Sequence, residues 1–301
     1  MTAVEQMPLP PAVEITGPGV YDIPADQYHA RPELSQTGAK KLLPPSCPAH
    51  FKQWQADGGE TKPAWEKGKA AHKVVLGAGP GLVPVVDEWG KDPNAWRTDK
   101  VKERLAEIRD RGDVPLKQAD YDDVHAMADA IRRHPVATAL LDPAAGAAEQ
   151  TLIWRDERTG VMCRALVDFL RHPVAGRRFL LPDYKHTGVE FGASPEKVGR
   201  TMGDYGYHVQ LAWYLMGLRA LGLAGDDAEA LLIVQEGRRP YLVTVAQPDP
   251  TAMRMGAIRC RQALDLYAEC VREGRWPGYS DDVVLAELPP WETRELNGVV
   301  W

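Results

Sequence analysis

Two aspartates and a lysine in the second half of the chain have the types and spacing of a metal-dependent hydrolytic site. Asp168 ends one apolar run, Asp183 ends the next, and Lys185 follows two positions later. Because side chains alternate between the two faces of a strand, Asp183 and Lys185 are predicted on one face, with Asp168 on a neighbouring strand. Carboxylates that converge at strand ends suit Mg²⁺. A lysine beside that metal can orient or deprotonate a water for attack on phosphorus.

These residues also have explanations that involve no chemistry. Both aspartates could be turn residues, with Lys185 at a solvated end of a strand. His72 lies in a predicted helix, and small residues one turn before it allow close approach to another element. A half-buried histidine bonded to a backbone carbonyl is the alternative to a functional one. The residues alone leave both alternatives open.

A helix further along the chain is predicted to carry a face of mixed character. Tyr207, Gln210, Leu211 and Tyr214 recur at intervals that place them on one side of it. An aromatic stripe in the core explains most of them. Gln210 is the exception, because a buried amide must find hydrogen-bonding partners. The face therefore either packs the core or presents polar groups to a ligand.

The periodicity of the sequence predicts the elements that must position these residues. Residues 1–14 are Pro-rich and are predicted to form a flexible tail, and residues 15–301 a single domain with a charged helical insert at about 94–141. Strands are predicted at 151–154, 161–170, 179–184, 230–235 and 241–246, and helices at 35–43, 65–76, 194–221 and 250–273. This order predicts an α/β fold with a small mixed β-sheet flanked by helices.

Composition and charge exclude several classes of protein. Hydrophobic residues are 44% and charged residues 26%, which argues against wholesale disorder. The formal net charge of −6 excludes a generally basic nucleic-acid coat but allows an enzyme that meets DNA through local basic patches. No apolar run is long enough for a membrane span, and the first residues lack the features of a signal peptide. The four scattered cysteines are typical of free thiols, so a cytoplasmic location is expected.

Taken in chain order, the candidate residues match the motifs of a known group of enzymes. His72, Asp168, the Asp183–Lys185 triplet, Gln210 and Tyr214 follow the order G-x-x-x-H, Asp, D-x-K, Q-x-x-x-Y. This order resembles the PD-(D/E)XK nuclease superfamily, in particular its RecE-like and RecB-like phage exonucleases. The similarity extends over about residues 19–273, and includes the segments 19–21, 48–51, 149–154, 205–207 and 234–236. It implies a restriction-endonuclease-like core.

The resemblance also implies a role for each matching residue. Asp168 and Asp183 would be catalytic metal ligands, Lys185 the catalytic lysine, and His72 a further metal ligand or a phosphate contact. Glu149 lies where some relatives have an additional acid, and is a further candidate ligand. Substrate binding would fall to four residues: Gln210, Tyr214, Tyr207 and Arg200. The implied metal is Mg²⁺, with Mn²⁺ expected to substitute.

Two features depart from the pattern of these nucleases. They often carry an arginine two residues before the first aspartate, where this chain has Leu166, and the nearest base is Arg164. A substrate or subunit contact of that arginine is therefore not expected to carry over, whereas the metal site is unaffected. Some RecB-like relatives bind an iron–sulfur cluster through one early cysteine and a late C-x-x-C. This chain has Cys47 early but no C-x-x-C, so no iron–sulfur cluster is predicted.

The resemblance implies a Mg²⁺-dependent DNA exonuclease that resects linear duplex ends, 5′-to-3′, for phage or prophage single-strand-annealing recombination. Its implied partners are double-stranded DNA ends, further copies of the chain in a ring, and a single-strand-annealing recombinase. The implied location is the cytoplasm of a bacterial host, and no membrane partner is implied. One alternative is an endonuclease of the same fold, against which the lack of a separate specificity domain speaks. The other is a catalytically inactive DNA-binding or scaffold protein, against which the intact Asp168, Asp183 and Lys185 speak.

Overall fold

The structure of the chain is a computed structural model that describes residues 13–58, 66–188 and 192–288. Its strands are β1 (Gly19–Tyr21), β2 (Leu34–Ser35), β3 (Leu82–Val85), β4 (Val114–Lys117), β5 (Gly146–Arg155), β6 (Met162–Arg171), β7 (Leu180–Thr187), β8 (Glu229–Glu236) and β9 (Val243–Ala246). Its helices are α1 (Ala25–His29), α2 (Gln36–Leu42), α3 (Pro48–Ala56), α4 (Glu66–Leu76), α5 (Asp99–Asp110), α6 (Gln118–Arg133), α7 (Pro135–Leu140), α8 (Pro195–Tyr205), α9 (Tyr207–Ala220) and α10 (Pro250–Glu273).

The strands combine parallel and antiparallel pairs. In one sheet β5 and β6 form an antiparallel hairpin, β1 is antiparallel to β5, and β2 is parallel to β6. In a second sheet β7 is parallel to β8, and β8 is antiparallel to β9. A third, of two strands, pairs β3 with β4 in parallel. The predicted α/β fold with small mixed sheets flanked by helices is therefore confirmed.

Helices pack against both faces of the sheet that contains β7. One hydrophobic cluster joins Leu181 of β7 to Leu211 of α9 and to residues of α2 and α10. A second joins Tyr184 of β7 to Met127 of α6 and to residues of α4. Because side chains alternate along a strand, Asp183 and Lys185 share the face of Leu181 and point towards α2 and α9. The alternation of β7 thus decides which helices surround the charged residues.

Close packing on β5 fixes the position of α9, the helix that carries Tyr207, Gln210 and Tyr214. A Cβ added at Gly217 would lie 2.8 Å from the indole ring of Trp154, so only glycine allows this approach. The indole nitrogen of Trp213 donates a hydrogen bond to the carbonyl oxygen of Arg164 at 3.0 Å, and both tryptophans are almost completely buried. These contacts hold α9 firmly against the β5–β6 hairpin.

The predicted helices and strands differ from the structure in two places that bear on the site. The helix predicted at 194–221 is two helices, because Gly206 adopts a left-handed conformation with φ of +65° and ends α8 before α9 begins. The strand predicted at 179–184 continues to Thr187, so Asp183 lies inside β7 and not at its end. Asp168 likewise lies inside β6, which ends at Arg171.

The predicted starts of two helices are confirmed, and the predicted helical insert also contains a strand. Ser35 caps α2 by accepting a hydrogen bond from the backbone of Gly38, and α10 begins at Pro250, both as predicted. The segment predicted as a helical insert at about 94–141 contains α5, α6 and α7, but also β4. Most of the predicted tail, residues 1–12, lies outside the described residues. Among the helices described, none is sufficiently long and apolar to cross a membrane.

Candidate active site

Asp183 and Lys185 form an ion pair on one face of β7. Nζ of Lys185 lies 2.5 Å from Oδ2 of Asp183, which confirms the common face predicted from strand alternation. β8 runs alongside and pairs Asp183 with Leu232 and Lys185 with Val234, so the two charges project from an apolar part of the sheet. The side chain of Asp183 is 1% exposed and that of Lys185 13%. The pair is therefore nearly removed from water.

Asp168 reaches the same place from β6. Its Oδ2 accepts a hydrogen bond from the backbone N–H of Tyr184 at 2.7 Å, and Tyr184 lies between Asp183 and Lys185. The hydroxyl of Tyr184 donates to Oε1 of the buried Gln235 at 2.7 Å, which holds this part of β7 from the other face. The structure therefore brings the three residues Asp168, Asp183 and Lys185 together.

Burial and mutual charge shift the pKa values of these three residues. Burial raises the pKa of Asp183 to about 6, with Lys185 acting to lower it and Asp168 to raise it. Burial also raises the pKa of Asp168. Burial alone would lower the pKa of Lys185, but the carboxylates of Asp183 and Asp168 outweigh it and raise that pKa. In this ion pair Lys185 therefore carries its proton.

His72 of α4 contacts Tyr184, the residue that lies between Asp183 and Lys185. Its ring meets the ring of Tyr184 edge-on, with 5.2 Å between the centroids. Burial lowers the pKa of His72 to about 4; Lys185 lowers it further, whereas Asp183 and a hydrogen bond to the backbone of Tyr184 oppose the shift. The imidazole is thus neutral near pH 7, the form in which histidine binds metals. Its contact with Tyr184 is equally that of a packing residue, so its role stays a prediction.

Glu149 of β5 approaches Asp168 from the neighbouring strand. The register of β5 and β6 pairs Ala148 with Phe169 and Gln150 with Val167, which sets Glu149 across from Asp168. Glu149 departs from regular strand geometry with φ of +49°. Burial raises its pKa, the Asp168 carboxylate raises it further, and Lys73 opposes both. The structure brings Glu149 to Asp168, and it adds Lys73, which the sequence did not single out.

The face of α9 that carries Tyr207, Gln210 and Tyr214 partly packs the core and partly presents polar groups to the surface, so both interpretations made from the sequence apply to it. The ring centroid of Tyr207 lies 5.2 Å from Nζ of Lys185. Tyr214 is 4% exposed and belongs to the core, and its hydroxyl accepts a hydrogen bond from Nε2 of Gln210 at 2.6 Å. Burial raises the pKa of Tyr214 well above 10.0, and Asp183 and Asp168 contribute. Tyr214 packs the core beside the aspartates, whereas Gln210 is partly exposed.

Two arginines considered from the sequence take no part in this cluster. The side chain of Arg200 is 84% exposed on α8 and lies 3.7 Å from Asp204, and no contact joins it to Asp168 or Asp183 among the described residues. Arg164 is buried and donates hydrogen bonds to the backbone oxygens of Arg31 and Glu33. Its guanidinium also lies over the ring of Tyr28, 5.1 Å from the centroid. Arg164 is therefore a structural residue that organises the segment before β2.

Sequence reasoning missed Lys40, which lies on α2 next to the ion pair. Its Nζ donates a hydrogen bond to the carbonyl oxygen of Tyr205 at 3.1 Å. Burial lowers the pKa of Lys40, the ammonium of Lys185 lowers it further, and Asp183 opposes the shift. The sequence shows two adjacent lysines, Lys40 and Lys41, and contains no signal that separates them. Only the packing of α2 shows which one faces the cluster.

The donor set suits a hard divalent cation. Both carboxylate oxygens of Asp183 are buried, and among the described residues the Lys185 ammonium is the one group that pairs with them. Within the described ranges no group of three or more His, Cys, Asp and Glu side chains stands close enough to hold a metal ion. Mg²⁺ commonly takes one or two carboxylates and completes its shell with water and substrate phosphate oxygens. Asp168 and Asp183 can supply those two carboxylates.

Comparison with known proteins agrees with this geometry. Residues 35–288 match the family model described as a PDDEXK-like domain of unknown function (DUF3799). The chain belongs to this family. Its core is restriction-endonuclease-like, as the motif order implied. Enzymes with PD-(D/E)XK cores generally use divalent metals, so family membership supports a nuclease and a divalent ion without specifying the ion.

One of two similar solved structures shows the same fold at low sequence identity. A candidate exonuclease from Eubacterium rectale has a TM-score of 0.55 at 13% identity, over 93% of this chain and 100% of that one. A phage-related exonuclease from Haemophilus somnus 129PT has a TM-score of 0.33 at 14% identity, over 81% of this chain and 97% of that one. Among curated proteins none matches the chain.

Proposed function

We propose that the chain is a metal-dependent DNA exonuclease that degrades linear duplex ends. The observation that carries the proposal is the convergence of Asp168, Asp183 and Lys185 around the backbone of Tyr184. The buried carboxylate of Asp183, the half-buried carboxylate of Asp168 and a lysine at this spacing suit the hydrolysis of a phosphodiester. Family membership supports a nuclease, and the motif order supports the more specific choice of an exonuclease.

Each residue of the cluster has a distinct task in this mechanism. Asp168 and Asp183 would hold the divalent ion, with Glu149 and His72 as further candidate ligands. When bound, Mg²⁺ would supply the positive charge that polarises the scissile phosphate and makes a nearby water easier to deprotonate. Lys185 orients the attacking water with its ammonium, or accepts its proton once the carboxylates no longer hold the lysine in its charged form. Burial of the cluster strengthens each of these electrostatic interactions.

The DNA backbone would be gripped from α9. Gln210 presents a partly exposed amide whose other contact is the hydroxyl of Tyr214, so the buried tyrosine orients the glutamine. Tyr207 lies over Lys185 and would limit how the DNA strand approaches it. Arg200 is exposed on α8, where it can reach a more distant phosphate. Polarity of 5′-to-3′, a ring of identical chains and an annealing recombinase as partner are parts of the proposal supported by the resemblance alone.

The proposal is tested by the release of nucleotides from linear and closed-circular duplexes of the same sequence, with Mg²⁺, with Mn²⁺ and with EDTA. We expect digestion of the linear duplex only, with either metal, and none with EDTA. Digestion of both duplexes would identify an endonuclease, and digestion of neither a binding or scaffold protein. Duplexes labelled at one 5′ or one 3′ end then give the polarity, and a 3′-to-5′ result would overturn that part.

A further inference from the structure

The proposed mechanism gives no task to Lys40 of α2. Lys40 is half-buried on α2, and the charges of Lys185 and Asp183 both act on it. Within the part of the chain that the structure describes, its ammonium has a hydrogen bond to a carbonyl oxygen and no ion pair with a carboxylate. Lys185, in contrast, is paired with Asp183.

The two lysines approach the same short segment from different elements. Lys40 donates to the carbonyl oxygen of Tyr205, and Nζ of Lys185 lies 5.2 Å from the ring of Tyr207. The rings of Tyr205 and Tyr207 are stacked at 5.7 Å between centroids on either side of Gly206. The left-handed conformation of Gly206 folds the chain back between α8 and α9. The two ammonium groups therefore both approach the α8–α9 junction, Lys40 at Tyr205 and Lys185 at Tyr207.

Electrostatics favour an anion next to Lys40. Two like charges that are shielded from water repel each other. Asp183 and Asp168 both offset this repulsion at Lys185, whereas at Lys40 the offset comes from Asp183. A carbonyl oxygen is a weak partner for an ammonium compared with a phosphate or carboxylate oxygen. A phosphate placed between α2 and the α8–α9 junction would relieve this repulsion and satisfy Lys40.

We propose that Lys40 binds a backbone phosphate of the DNA strand next to the one that is cleaved, exchanging the carbonyl oxygen of Tyr205 for a phosphate oxygen. This inference rests on the proposed function, since it assumes that nucleic acid enters the cluster. Lys40 acts in binding and not in the chemical step, because its ammonium contacts the carbonyl oxygen of Tyr205 and, among the described residues, neither Asp168 nor Asp183. The structural alternative is that Lys40 only stabilises the end of α8 by binding its last carbonyl.

The test compares Lys40→Met, Lys40→Arg and the control Lys41→Met in the full chain. Lys41 is the adjacent lysine of α2, and its Nζ lies over the ring of Trp54 at 5.4 Å. Affinity for a blunt duplex is measured over a series of KCl concentrations, with Ca²⁺ in place of Mg²⁺ to block cleavage. Steady-state kinetics with Mg²⁺ and melting temperatures complete the set.

For Lys40→Met we expect about a tenfold loss of affinity and a matching rise in KM, as for the loss of one charge-assisted hydrogen bond. The slope of log affinity against log salt should fall in magnitude by about 0.9, as for one released counterion. Lys40→Arg should keep the slope, Lys41→Met should match the wild type, and kcat should stay unchanged in all three.

Other outcomes overturn the inference and can be told apart from failure of the proposed function. A lowered melting temperature of Lys40→Met with unchanged affinity and slope would make Lys40 a helix-capping residue only. Equal effects of Lys40→Met and Lys41→Met would show a general loss of positive charge. If the wild type binds DNA but does not cut it, the proposed nuclease fails while the salt slope still decides the role of Lys40. If the wild type binds no DNA, both the proposed nuclease activity and the proposed role of Lys40 are disproved.

Discussion

The carboxylate of Asp168 accepts a hydrogen bond from the backbone N–H of Tyr184, the residue that separates Asp183 from Lys185. This one bond joins two sheets, since Asp168 belongs to β6 and Tyr184 to β7. It orients the Asp168 carboxylate through one oxygen and leaves the other for a further ligand. The distance between the two carboxylates therefore depends on how β6 and β7 pack, and not on the turn that connects them.

Asp183→Asn should abolish nuclease activity, because the amide keeps the shape of the side chain but cannot replace a carboxylate as a metal ligand. The wild type should also melt at a higher temperature when Ca²⁺ or Mg²⁺ is added, since a ligand that binds only the folded state stabilises it. The variant should lose that increase. A variant that is still stabilised by the ion and still cuts DNA would exclude Asp183 from the metal site.

Lys185→Met should reduce kcat by about 10² to 10⁴-fold, the usual contribution of a positioned acid or base, while the melting temperature still rises with the metal ion. Lys185→Arg should rescue little, because a planar and permanently charged guanidinium cannot accept a proton from water. Lost stabilisation by the ion together with an unchanged rate at saturating Mg²⁺ would assign Lys185 to metal binding.

Gln210→Ala should raise KM for duplex ends with little change in melting temperature, because the amide is partly exposed and its contact is the Tyr214 hydroxyl. Tyr214→Phe should have a smaller effect in the same direction, since it removes the group that orients Gln210 but leaves the buried ring in place. Affinity in Ca²⁺ and melting temperature are measured together. If the melting temperature of Gln210→Ala fell by several degrees with unaltered affinity, Gln210 would be a packing residue and not a DNA contact.

The turn between β5 and β6 should contribute to stability in a pH-dependent way. Burial acts to raise the pKa of Asp156, but hydrogen bonds from Arg261 and Thr159 outweigh it and lower that pKa from 3.8 to about 2. Because the pKa is lower in the folded state, the stabilisation is present above about pH 4 and is lost as pH falls towards 2.

Asp156→Asn should accordingly lower the free energy of unfolding by about 2 kcal/mol at pH 7, and by roughly half of that at pH 3. Urea denaturation at both pH values checks this. The control is Glu157→Gln, an exposed neighbour that should match the wild type at both. A difference that is the same at pH 7 and pH 3 would exclude the ionised Asp156–Arg261 pair as its source.

Gly256→Ala should destabilise the protein, by about 1 to 3 kcal/mol, because α10 crosses α9 there at very close range. A Cβ at Gly256 would overlap the carbonyl oxygen of His208 and lie 2.8 Å from its carbonyl carbon. Gly203→Ala on α8 is the matched control, since nothing lies within 4 Å of its Cβ position. It should be neutral or stabilising by about 0.5 to 1 kcal/mol, from helix propensity. Equal melting temperatures for the two variants would disprove the close crossing.

Local signals in the sequence predicted much of the fold, because they depend on neighbouring residues. Ser35 marks the start of α2 as an N-cap, Pro250 that of α10, and alternation puts Asp183 and Lys185 on one face of a strand. The same signals failed at Gly206, where two helices were taken for one, since a single glycine does not reveal whether the chain turns or continues.

The sequence by itself determined which residues are chemically competent, their order along the chain and the α/β class, since these follow from residue type and periodicity. Only the tertiary structure decided which of them meet. It placed Glu149 across from Asp168, buried Tyr214 in the core and left Arg200 exposed without a contact to Asp168 or Asp183 among the described residues. It also turned Lys40 rather than Lys41 towards the α8–α9 junction. The reason is physical: each of these contacts joins elements that are distant in sequence, and packing between helices and sheets, not local propensity, sets their separation.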